Sequence, residues 1–166
     1  MNFKSRIYLL GVLSTLLVIV SCATSREMKV EVEKMEYEVM VRDILTGDGS
    51  EGIEQGLVVC NAQEELDLLK NKMNSINYST KKLDEYTIDW QNETVLAYFT
   101  DVLPSGGYVI HADSLMQRNI NGALSYEMHY TLEAPKGPAT TMITQPYFFS
   151  KSAKLDGPVS HNVIEQ

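Results

Sequence analysis

The chain has 166 residues, 22 of them acidic and 14 basic, and a formal net charge of −8. That length suits one domain with a real hydrophobic core. The acidic balance, with no basic cluster to offset it, excludes nucleic-acid binding and attachment to anionic lipid through a basic helix.

Lys4 and Arg6 precede an apolar run of 14 residues, Ile7 to Val20. A membrane-spanning helix needs roughly 20, so the run reads as the core of a secretory signal. It ends Ile19-Val20-Ser21-Cys22, which resembles the lipobox of bacterial lipoproteins. The resemblance implies a signal peptide over 1–21, a diacylglyceryl thioether on Cys22 and, after cleavage, an acylated amine. A second acyl chain matters, because one alone holds a protein only marginally. The expected location is the bacterial cell envelope, lipid-anchored, with the outer membrane favoured and a periplasmic or surface face left open. Cys22 and Cys60 are the only cysteines, so a thioether at Cys22 leaves no internal disulfide. Cys60 ends the apolar run Leu57-Val-Val-Cys60 and reads as a buried thiol.

Residues 22–29 form a short polar tether. A single α+β domain is expected over 30–151, mainly antiparallel sheet with one docked amphipathic helix. Met35, Tyr37, Val39 and Val41 alternate with Glu36, Glu38 and Arg42, a strand with one wet face. Val30 and Val32 are out of phase with that set, which predicts a bulge or a late strand start. Thr46 to Gly52 is a loop, and Leu57 to Cys60 a short strand. Asn61 with Glu64 resembles a capping box. It opens a helix whose apolar stripe is Ala62, Leu66, Leu69, Met73 and Ile76. Asn77 to Asp84 connects, and Trp90 is expected at the edge of the next strand.

Thr94 to Thr100 is apolar on both faces and reads as a fully buried strand. Pro104, Ser105, Gly106 and Gly107 then form a turn, read as a hairpin between this strand and Tyr108 to Asp113. Leu124, Tyr126, Met128, Tyr130 and Leu132 alternate strictly with polar residues, the clearest half-buried strand in the chain. Ala134 to Pro138 breaks it. Thr140 to Ser150 is a last strand, with Pro146 placing it at an edge or a bulge. Residues 152–166 show no clear period and read as a partly ordered tail.

Asp89-Trp90, the buried strand, Ser105-Gly106-Gly107-Tyr108, the alternating strand, Pro135 and Gln145-Pro146-Tyr147 together resemble the C-terminal domain of the PrcB-type protease-complex subunit family. The likeness covers 86–151. It implies an exported accessory or binding protein, in its most specific form a non-catalytic subunit of a surface or periplasmic protease. It carries no catalytic residue. The expected partners are the membrane, through Cys22, and another envelope protein.

Pro104, Ser105, Gly106, Gly107 and Tyr108 are the candidate partner-binding residues, since bare backbone at two glycines admits close approach. An alternative is a protease inhibitor using this loop as a wedge. A third, of another class, is a metal-dependent enzyme built on His111, Asp113 and His129, which share a face if the strands pair. Asp43, Asp48 and Glu51 lack the spacing of a calcium loop. With no nucleophile motif or phosphate loop present, no enzyme activity and no cofactor are expected.

Overall fold

The computed structural model describes residues 29–166. The expected signal peptide, the lipobox-like segment and Cys22 lie outside the described residues. In chain order the elements are β1 (Val30–Met35), β2 (Tyr37–Leu45), β3 (Gly56–Cys60), α1 (Gln63–Met73), a 3-10 turn at Leu83–Glu85, β4 (Glu93–Phe99), β5 (Val109–Ile120), β6 (Ala123–Glu133), β7 (Gln145–Ala153) and β8 (Val159–Glu165). They form an α+β fold dominated by antiparallel sheet, as the sequence leads one to expect. The strands divide between two four-stranded sheets, β1-β5-β6-β8 and β2-β7-β4-β3.

β4 explains the layering. Its two apolar faces bury against two different partners. Leu96 and Tyr98 join Ile110, Leu115, Met128, Tyr130 and Phe148 in the core between the sheets. Val95, Ala97 and Phe99 join Leu66, Leu69, Met73 and Phe149 beneath the helix. The result is three layers: sheet, sheet, helix. Strict alternation in β6 matches this, with Tyr126, Met128, Tyr130 and Leu132 all buried. Tyr98 and Tyr130 stack across the interface with ring centroids 4.6 Å apart.

The Gly106-Gly107 turn is not a hairpin. β4 and β5 belong to different sheets, so the 100–108 segment is a crossover. The tight hairpin joins β5 to β6 at Asn121-Gly122, where both residues have positive φ, 54° and 93°. Two consecutive positive φ values are what a type I′ turn demands, and Asn-Gly is its best dipeptide.

Three strand assignments need correction. β1 starts at Val30 and pairs with β5 in unbroken register through Met35, so the phase of Val30 and Val32 reflects neither a bulge nor a late start. The bulge lies in β2, between Val39 and Val41, leaving Val39 exposed while Met40 and Val41 both join the buried cluster on the helix side of that sheet. Pro146 sits in β7, a central strand, not at an edge. It is tolerated because its carbonyl accepts the Thr100 N–H, and the Thr100 carbonyl, which its missing N–H would serve, accepts Gln145 Nε2 instead. Finally, 152–166 is no tail. β7 runs on to Ala153, and β8 pairs with β6, in parallel, from Val159 to Glu165. Val159 and Val163 pack on the inter-sheet core, and the His161 ring lies 5.2 Å from Tyr98.

The helix begins one residue later than the capping box implies. Ala62 is its N-cap, and Glu65, not Glu64, reaches back to the Asn61 N–H at 2.6 Å. The Asn61 side chain instead accepts the Thr94 hydroxyl. Leu66, Leu69 and Met73 are buried, but Ile76 falls beyond the helix end and is exposed. Leu69→Ala should therefore cost about 2–4 kcal/mol, as buried leucine truncations do. Leu68→Ala, at a position 71% exposed, should stay within about 0.5 kcal/mol. Urea midpoints compare them directly, and equal shifts would contradict this packing.

Candidate functional site

Three connections meet at one end of the sandwich: 46–55, 100–108 and 134–144. Their meeting is held by backbone. Leu103 and Thr144 exchange two hydrogen bonds, at 2.8 and 3.0 Å, and the Gly106 N–H donates to the Thr140 carbonyl at 3.1 Å. The Thr144 hydroxyl donates to the Ser105 carbonyl. Buried Gln145 donates through Nε2 to the carbonyls of both Ile53 and Thr100, tying the first two connections together.

Within this cluster Pro104 and Gly107 are exposed, Ser105 and Tyr108 half-buried, and Gly106 buried. Tyr108 packs against the inter-sheet core, and with Leu132, Ala134, Glu165 and Gln166 it lines a shallow cleft of about 270 Å³. The glycines are structural first. Gly107 has φ +88°, and a Cβ there would sit 3.0 Å from Pro135; one at Gly106 would sit 2.5 Å from the Thr140 hydroxyl oxygen. Gly107→Val should cost about 1–3 kcal/mol through backbone strain. Thermal unfolding checks this, and an unshifted midpoint would remove the strain argument.

The reading from sequence missed the neighbours. Val102, Met142 and Ile143 are exposed apolar side chains on the 100–108 and 134–144 connections. No sequence signal marks them: adjacent Met142 and Ile143 read like the two-faced pair Tyr147-Phe148, so Thr140 to Thr144 passes for the start of the last strand. The β7 strand starts only at Gln145.

His111, Asp113 and His129 are not gathered as ligands. A bulge at Asp113 shifts the β5–β6 register, so Ser114, not Asp113, lies opposite His129. Arg42 donates to His111 Nδ1 at 2.7 Å, and Glu133 lies 3.8 Å from its Nε2. Asp113 accepts the Thr131 hydroxyl at 2.8 Å. His129 Nε2 lies 3.7 Å from Glu127, which also holds Arg118 at 2.9 Å. These are surface pairs along a sheet. Asp43 is taken by Lys82, and Glu51 is buried with Oε1 on the Gly47 N–H. Among the described residues no group of three His, Cys, Asp or Glu side chains is placed to hold a metal ion. Cys60 is fully buried, and burial, then the nearby Glu65 charge, pushes its thiol up to about 12. It holds no thiolate at neutral pH and is not a nucleophile.

No protein-family model, no curated protein and no solved structure matches the chain.

Proposed function

We propose that this is a lipid-anchored, non-catalytic binding protein of the bacterial cell envelope, whose loop cluster receives another envelope protein. Its most specific form is an accessory subunit of a surface or periplasmic protease, as the likeness of Ser105-Gly106-Gly107-Tyr108 and Gln145-Pro146-Tyr147 to the PrcB-type family implies. The observation that carries the reading is the convergence of three connections on a rigid scaffold, with Val102, Met142 and Ile143 exposed around Pro104. Loops fixed on a sandwich are where binding residues concentrate. Apolar side chains on them supply the contact area an interface core needs.

The wedge-type inhibitor fits this geometry less well. A substrate-like loop must offer free backbone groups to pair with a protease strand. Here the N–H and C=O of Leu103, the Ser105 carbonyl and the Gly106 N–H are already used internally.

A photo-crosslinking residue at Ile143, in the lipidated protein in its own envelope, tests the reading. The expected product is one discrete adduct that also reacts with an active-site probe for serine hydrolases. The same crosslinker at Leu68, on the exposed helix face, should give none. An adduct lacking the probe would keep the binding role and remove the protease. No adduct at Ile143 would remove both. The anchor has its own test. Cys22→Ser should abolish incorporation of radiolabelled fatty acid and leave the precursor uncleaved; a labelled mutant would contradict the lipobox.

A further inference from the structure

Val30 and Val32 pose a problem that their strand register solves. Side chains alternate along a strand. Met35 stands opposite fully buried Leu115, so Glu31 and Glu33 share Met35's side of the sheet. Val30, Val32 and Lys34 take the other side, the outer face of the β1-β5-β6-β8 sheet. There Val30 stands opposite Ile120, and Ile120 opposite Ala123, making an apolar row across three strands. Val30 is 51% exposed, Val32 54% and Ile120 39%. The usual pattern is thus inverted, with carboxylates on the inner side and branched aliphatics on the open outer side. Nothing in the packing of the domain requires valine at those two positions.

The row lies at one end of the molecule, beside the Asn121-Gly122 turn. It is also the end where the chain enters from Cys22, seven residues before Lys29. Fully extended, that tether reaches about 25 Å. We infer that the Val30–Val32–Ile120 row is a membrane-contact face, seated on the bilayer beside the lipid anchor. This rests on the anchor at Cys22, and goes beyond it by assigning which surface of the domain meets lipid.

Charge agrees with that occupant. The row is bordered by Arg118, opposite Val32, and by Lys34, while Glu31 and Glu33 point to the other face. Arg118 is itself held by Glu127 at 2.9 Å on the same outer face, so its charge is offset there and Lys34 is the cation left beside the row. Small apolar insertions of this kind bind weakly alone, but a tethered patch has no free-diffusion cost to overcome. The geometry also sets the distance to the loop cluster. β5 runs its 12 residues from that cluster to the anchor end, roughly 40 Å at strand rise. Val102, Met142 and Ile143 therefore lie at the opposite end of the strand from the row, away from the contact.

The test uses the lipidated full chain in phosphatidylethanolamine–phosphatidylglycerol vesicles. An environment-sensitive fluorophore is placed on Val32→Cys or, as reference, Ile143→Cys; buried Cys60 stays unlabelled. Nitroxide headgroup lipids should quench the probe at 32 several-fold more than the probe at 143. Adding Ile120→Asp, on the neighbouring strand, should lower that quenching. Equal quenching at both positions, with the protein still floating with the vesicles, overturns the contact face and leaves the anchor intact. A blue-shifted but unquenched probe at 32 overturns it in favour of a second copy. Failure to float removes the anchor and this inference with it.

Discussion

Phe149→Ala is expected to destabilise the fold by about 3–5 kcal/mol, as large aromatic truncations in cores do. Phe149 is fully buried and lies between the helix and the β2-β7-β4-β3 sheet. Its ring meets Phe99 edge-on at 5.9 Å and Tyr147 at 5.7 Å. Edge-to-face pairs add about 0.5–1.5 kcal/mol each beyond burial. Neighbours cannot fill the void, because Ala97 and Val41, opposite Phe149 on the flanking strands, are short. Urea unfolding should show a lower midpoint with an unchanged slope. A shift no larger than that of Leu68→Ala would mean that this aromatic cluster is not the core described.

Removing residues 159–166 is the second large effect. Two half-buried valines, Val159 and Val163, leave the inter-sheet core, a direct loss of about 1.5–3 kcal/mol by apolar burial, to which newly exposed β6 side chains add. Tyr126 and Leu132 also lie along the strand that β8 covers. β6 would then become an unprotected edge, inviting aggregation. The truncated chain should melt well below the full one and associate at rising concentration. Equal melting temperatures would restore the reading of this segment as a dispensable tail.

Burial on a definite face leaves a record in sequence, and that is where the reading succeeded. Thr94 to Thr100 is apolar twice over because β4 has a core on each side. Leu124 to Leu132 alternates because β6 has one. Leu66, Leu69 and Met73 repeat at helical spacing because one stripe docks. β8 was illegible for the converse reason. It is an edge strand, half-covered, and its inward positions are Val159, polar His161, Val163 and exposed Glu165. Turn chemistry was legible only as turn chemistry: Pro104 to Gly107 reverses the chain, but the residues do not say into which sheet it returns. The candidate site was half legible for a similar reason. Pro104 to Tyr108 stands out through its glycines, whereas the 134–144 segment that clamps it is specified by a long-range pairing, Leu103 with Thr144. The His111–Asp113–His129 grouping failed on one bulged residue, which no spacing rule foresees.

The central claim is that the loop cluster, and not another surface, takes the partner. It is tested most directly by comparing crosslinking from a probe at Val102 in the parent protein with that in a Met142→Asp/Ile143→Asp variant. Both substituted positions are exposed, so the urea midpoint should hold within about 0.5 kcal/mol. The account predicts loss of the adduct at unchanged stability, while Val39→Asp, exposed on β2 far from these loops, leaves it intact. An undiminished adduct in the double variant would contradict the account.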